Sequence, residues 1–230
     1  MASFSAVLAL RYLDPPITSF MLQARIGAFV EGTPLELRHE WRDIAAISPH
    51  AAVAVVASED QRFPLHDGFD RRQIERALQA AEQGGRSRGA STITQQVAKN
   101  LFLWPGRSWV RKGIEAWFTV LMEWLWPKQR ILEIYLNTAE FGRGIYGVPS
   151  ASRWYFRKEA AQLTASEAAL LAAVLPSPLR YRVDKPGPYV QQRRGEILRQ
   201  MHALGGRAWL RDVLPAQPVR RSVDPGAAGR

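Results

Sequence analysis

The run Ala51-Ala52-Val53-Ala54-Val55-Val56-Ala57 constrains this chain most. Apolar residues in unbroken succession leave a helix no face for water, so a helix here must be buried. Ser48-Pro49 supplies its start, with Ser48 as the N-cap and Pro49 at the first helical position. Glu59 and Asp60 arrive at its other end. A buried helix is a rigid mount for a functional side chain. Its C-terminal end carries the negative pole, which raises the pKa of a nearby carboxyl group.

A chain of 230 residues, 47% of them hydrophobic, can bury one sizeable core and is not disordered. Its formal net charge of +10 implies an anionic partner: nucleic acid, a membrane surface or a phosphorylated substrate. Eight Trp beside many Arg favour the membrane interface, where amphipathic rings are at home. No Cys is present, so disulfide and thiolate chemistry are excluded. Ala2 to Leu10 is mostly apolar but falls well short of the ~20 residues a spanning helix needs. Residues 1–26 read as the remnant of an N-terminal anchor region with its linker, 27–214 as the folded domain, and 215–230 as a Pro-, Gly-, Ala- and Arg-rich disordered tail.

Within the domain nearly every signal is helical, and the expected class is mainly α. Leu35 to Trp41 alternates and suggests one short edge strand. Asp70 caps a helix whose apolar stripe is Ile74, Ala77, Leu78 and Ala81, and Gly84-Gly85 stops it. Gln83 to Gly89 reads as a mobile loop. Thr92 to Leu103 is a helix with Ile93, Val97 and Leu101 inward. Trp109 to Trp126 is a long helix, with Trp109, Ala116, Trp117, Val120, Leu121 and Trp124 on its apolar side. Lys128 to Asn137 places Ile131, Leu132, Ile134 and Tyr135 inward. Phe141 to Gly147 reads as a glycine-rich turn and Val148 to Phe156 as a short aromatic helix. Thr164 to Glu167 is a capping box, and Pro188 to Leu204 is amphipathic.

Residues 59–115 carry the chemistry. Glu59 and Glu115 bracket a run of cations and amides: Ser91, Gln95, Gln96, Lys99, Asn100, Arg107, Arg111 and Lys112. That layout suits a carboxylate that takes a proton while a polyanionic leaving group departs. Each feature also has a plainer account. Glu59 is then a hydrogen-bonded helix end, the cations a solvated face, and Arg111–Glu115 a helical pair worth a few tenths of a kcal/mol.

The blocks resemble glycosyltransferase family 51 of bacterial cell-wall synthesis, in its monofunctional branch. Glu59, Asp60, Phe63, His66 and Gly68 match its first motif; Gly89, Ser91, Thr92, Gln95, Gln96, Lys99 and Asn100 its second; Arg111, Lys112 and Glu115 its third. Lys128, Ile131, Leu132, Glu133, Tyr135, Leu136 and Asn137 match a fourth, and Leu163 to Pro178 a fifth. The resemblance implies a lysozyme-like, two-lobed helical fold. It implies polymerisation of lipid II onto a growing glycan chain, at the periplasmic side of the cytoplasmic membrane. Glu59 would be the general base and Glu115 the second acid, near the donor site. Asp60, Phe63, Ser91, Gln95, Gln96, Lys99, Asn100, Arg107, Arg111 and Lys112 would serve substrate binding, with Lys99 and Arg107 nearest the pyrophosphate. His66 is expected to be structural. A divalent cation, Mg²⁺ or Mn²⁺, suits pyrophosphate oxygens, but no metal-ligand spacing is present. Cell-wall synthases or division proteins are the expected protein partners, and nucleic acid is not. A hydrolase of similar fold would have no use for the Lys99 to Lys112 cations. A scaffold that only binds lipid II would have no use for the acids.

Overall fold

A computed structural model describes residues 1–82, 91–106 and 108–216 of the chain. The expected loop at 83–89, Arg107 and most of the expected tail lie outside them.

The fold is mainly helical with one small sheet. The helices are α1 (Ala2–Leu10), α2 (Ser19–Val30), α3 (Pro49–Glu59), α4 (Arg71–Glu82), α5 (Ile93–Phe102), α6 (Trp109–Leu125), α7 (Lys128–Thr138), α8 (Val148–Ala151), α9 (Ala165–Val174) and α10 (Pro188–Ala203). Strands β1 (Arg38–His39), β2 (Glu140–Gly142) and β3 (Ile145–Tyr146) form the sheet in the order β1-β3-β2. β1 runs parallel and β2 antiparallel to β3.

The apolar run does what its composition demands. Ala51 to Ala57 are all buried, and α3 is packed against α9, α10 and α7. Ser48 accepts a hydrogen bond from the His50 N–H at 3.3 Å, so the cap forms as expected. α5 lies against both α6 and α7, with Ile93 and Val97 fully enclosed. Thr92 and Thr164 each close a capping box.

Three local expectations are corrected. The first concerns α6, whose expected apolar side is split: Leu121 is buried, but Trp109 is 93% exposed, Trp124 74%, and Trp117 and Val120 53% each. Beside Leu121 the buried side holds Glu115, Thr119 and Met122. Polar groups can occupy it because they are satisfied there: the Thr119 hydroxyl donates to the Glu115 carbonyl, and Glu115 is paired with cations. The second is α4, where Asp70 caps as expected but Ile74 of the predicted core stripe is exposed. Third, the glycine-rich turn is a β-hairpin, and the aromatic helix after it splits into α8 and a π-helical turn, Ser152–Phe156, ended by Arg157 in a left-handed conformation.

The hairpin is placed by glycine. Gly147 has φ +82, and a Cβ there would stand 2.5 Å from the Asn137 carbonyl oxygen at the end of α7. Asn137 in turn holds the approach to β1: its Oδ1 accepts from the Arg42 N–H and its Nδ2 donates to the Arg42 carbonyl, both at 2.9 Å. We therefore expect Gly147→Ala to cost about 2–4 kcal/mol, from left-handed strain plus backbone collision. Thermal denaturation should show a Tm lower by about 5–10 °C.

Candidate functional site

α3 ends at the edge of a cleft, and its last residue, Glu59, and the residue capping it, Asp60, take opposite roles. Asp60 is 1% exposed. Its carboxylate accepts from His66 Nε2 at 2.9 and 3.0 Å and from the Ile93 N–H at 3.0 Å. It thus satisfies an amide at the start of α5 and ties that helix to α3. Glu59 meets the wall of the cleft. Its Oε2 accepts from Gln96 Nε2 at 2.9 Å, and Gln96 Oε1 accepts from the Tyr135 hydroxyl at 3.1 Å.

The cleft holds about 210 Å³ and is lined by Phe20, Gln96, Lys99, Asn100, Tyr135, Glu140 and Tyr146, with Pro176 and Pro178. Larger hollows of about 380 Å³ beside Arg62 and Arg71, and about 430 Å³ beside His50 and His202, bring together no acid with a facing amide and lysine. Burial raises the Glu59 pKa above its ordinary 4.5, opposed by the Gln96 hydrogen bond and by Arg193 and Lys99. Desolvation thus leads the causes of a shift that the sequence assigned to the helix pole. Burial lowers the Lys99 pKa from its ordinary value, opposed chiefly by Glu115. Lys99 Nζ also stands 5.3 Å from the Phe20 ring centroid.

α6 brings up the second acid. Glu115 is 3% exposed and takes Arg111 Nη1 at 3.1 Å and Lys112 Nζ at 2.5 Å. The Arg111 Nε is buried with no hydrogen-bond partner among the described residues.

The predicted residues therefore divide. Gln96, Lys99 and Asn100 line the cleft, Glu59 is bonded to Gln96 at its edge, and Glu115, Arg111 and Lys112 form the neighbouring ion cluster. Asp60 and Phe63, expected at substrate, have almost no exposed surface (1% and 0%) and hold the site from behind. Phe63 packs edge-on to His66 and lies 4.6 Å beneath Lys128 Nζ. Gln95 closes the α5 capping box: its Oε1 accepts from the Thr92 N–H at 3.0 Å. Ser91 is exposed just before that cap, and Arg107 lies outside the described residues. His66, expected to be structural, is buried and bonded to Asp60.

Sequence reasoning missed Tyr135 as a polar contributor, and it missed Glu140, Tyr146 and Arg193. Glu140 pairs across the hairpin with Tyr146, and the bulge between Glu140 and Gly142 sets both into the cleft. Burial raises the pKa of each. The available signal was a lone acid directly before a glycine-rich hairpin. Arg193 donates to the Ser58 carbonyl at 3.2 Å from α10, and nothing in its surrounding sequence marks it.

Among the described residues no group of three His, Cys, Asp or Glu could hold a metal ion. Both Glu115 oxygens already face cations, so these residues do not fit a dedicated ion site.

Comparison with known proteins bears on this geometry. A family model described as transglycosylase matches residues 27–202. The biosynthetic peptidoglycan transglycosylase of Xanthomonas campestris pv. campestris (strain B100) is 56% identical over 210 residues, covering 91% of this chain and 85% of that protein. Its namesake from Pseudomonas aeruginosa (strain PAO1) is 51% identical over 209 residues, covering 91% and 90%. That from Pseudomonas entomophila (strain L48) is 50% identical over 208 residues, covering 90% and 88%. On the family model and on these relatives, the chain belongs to the transglycosylase family.

Proposed function

We propose that this peptidoglycan glycosyltransferase polymerises lipid II into β-1,4-linked glycan strands, with Glu59 as its general base. The observation that carries the reading is a carboxylate at a cleft edge, facing an amide, with a half-buried lysine and a cation cluster nearby. The sugar 4-hydroxyl is a poor nucleophile at neutral pH. Glu59 accepts its proton as the hydroxyl attacks the anomeric carbon of the donor. The raised pKa makes Glu59 a better base than an exposed carboxylate, while Gln96 keeps the ionised form accessible. The bond from the anomeric carbon to the pyrophosphate oxygen breaks as the new glycosidic bond forms. With no protein nucleophile, one displacement inverts the centre. The departing pyrophosphate is already acidic and needs charge neutralisation rather than a proton. Lys99 supplies it, with Arg111 and Lys112 held by Glu115 as neighbouring positive charge. A divalent cation such as Mg²⁺ or Mn²⁺ would arrive with the donor's pyrophosphate and add to the neutralisation of its charge.

We further assign the chain to the periplasmic face of the cytoplasmic membrane. Among the described residues no helix is long and apolar enough to cross a membrane. Contact with a membrane surface is supported by exposed apolar side chains on α2 and α6, Phe29 at 83%, Val30 at 78%, Val110 at 72% and the α6 tryptophans, and the periplasmic side follows from the proposed substrate. Cell-wall synthases and division proteins are the proposed partners.

Purified protein with lipid II in detergent and Mg²⁺ should yield glycan polymer, and Glu59→Gln should lower the rate by about 10²–10⁴-fold while still binding lipid II. Polymer from Glu59→Gln at the wild-type rate, or shortening of preformed glycan, would sink the reading. The rate should fall on acidification with an apparent pKa above 4.5, since the base works only ionised and burial raises its pKa. A limb at or below the ordinary glutamate value counts against Glu59. Replacing Trp117 and Trp124 together by Ala should weaken partition onto vesicles by roughly tenfold or more, and unchanged partition would remove α6 from the membrane contact.

A further inference from the structure

We infer that Tyr135 is a positioning residue for Glu59: its hydroxyl locks the Gln96 amide so that the donor end faces the carboxylate. The consequence for catalysis rests on Glu59 being the base; the lock itself does not.

A glutamine amide has an acceptor end and a donor end, and either can be turned toward a neighbour. Tyr135 O–H donates to Gln96 Oε1 at 3.1 Å, and Gln96 Nε2 donates to Glu59 Oε2 at 2.9 Å. Reversing the amide would set Oε1 against an ionised carboxylate, acceptor on acceptor. The carboxylate and the Tyr135 hydroxyl therefore hold the amide the same way, and once Glu59 is protonated only Tyr135 still does. Tyr135 cannot swing aside: it is 1% exposed, on α7 among the fully buried Ile131, Leu132, Ile134 and Leu136. Burial also holds its phenol well above the ordinary tyrosine pKa, so the O–H is present at any working pH.

The other groups acting on Glu59 are Lys99 from α5, Arg193 from α10 and Ser58 on α3 itself. Asp60 and Glu59 both act on Tyr135. These remain in place when the Tyr135 hydroxyl is removed. Tyr135→Phe therefore isolates the lock: the ring stays, Gln96 Oε1 loses its donor, and the amide is no longer held toward Glu59.

The test is a carbon-13 NMR titration of the Glu59 side-chain carboxyl, assigned by its loss in Glu59→Gln, beside the pH dependence of kcat. In Tyr135→Phe the Glu59 titration should move up by about 0.5–1 pH unit, because a hydrogen bond to the ionised form is weakened. The acidic limb of kcat should move with it, while KM for lipid II stays within about twofold. Gln96→Ala should shift the titration at least as far, and Tyr135→Phe should add nothing on that background. An unmoved titration in Tyr135→Phe, or a full extra shift on Gln96→Ala, overturns the lock. If Tyr135→Phe does not fold, Gln96→Ala alone decides: no upward shift there overturns it too. A titration that moves while the kcat limb stays still upholds the lock and overturns Glu59 as the base.

Discussion

Everything at this site hangs on one buried carboxylate. Asp60 has almost no surface, yet its two oxygens join a histidine of its own loop to the first amide of α5. A charge removed from water must be fully matched, or it costs several kcal/mol. Asp60 is matched only when α3 and α5 stand in one relative position. That position sets Glu59 opposite Gln96 and brings Lys99 into the same cleft. Thr92, whose hydroxyl donates to the Gly68 carbonyl at 2.7 Å, adds a second tie across the same junction. Asp60 and Phe63, which hold the site, are therefore sealed behind it.

The cleft sorts charge by element. α3 brings one acid, α5 an amide and a lysine, and the hairpin brings Glu140 with Tyr146 to the same cleft. α6 brings a glutamate already committed to two cations. Acids and cations within one small volume would collapse onto each other if each were mobile. Here Glu115 absorbs Arg111 and Lys112 on its own helix, and Lys99 stays over Phe20. Burial then pulls the Glu59 and Lys99 pKa values toward each other, so both groups are closer to the range where a proton can be exchanged.

Local signals were legible in the sequence. α3, its Ser48 cap and the two capping boxes are written within a few residues, and they appear where the spacing puts them. The set of Gln96, Lys99 and Asn100 in the cleft, with Glu59 at its edge, was also legible, because the blocks resembled a known family. The face of α6 was not. Its tryptophans match a core stripe, while its true inner face holds Glu115 and Thr119, acceptable only because their partners sit on the same helix. Asp60, Phe63 and Gln95 were read as substrate contacts because motif membership does not separate a residue that touches from one that supports. Tyr135 reads as one more inward aromatic. Its hydroxyl has a purpose only once Gln96, 39 positions earlier, is folded beside it.

α1 is joined to the body at several points. Trp126 Nε1 donates to the Val7 carbonyl at 2.8 Å, and Arg11 reaches the Leu125 carbonyl at 2.6 Å. Arg130 of α7 gathers the segment that follows, donating to the carbonyls of Leu10 and Leu13 and pairing with Asp14 and Glu133. Such bracing makes the short helix a lever rather than a tether. It cannot pivot without prying at α7, the helix that carries Tyr135. Whatever fixes the tilt of α1 therefore also fixes the tilt of α7 and of the cleft wall that α7 forms.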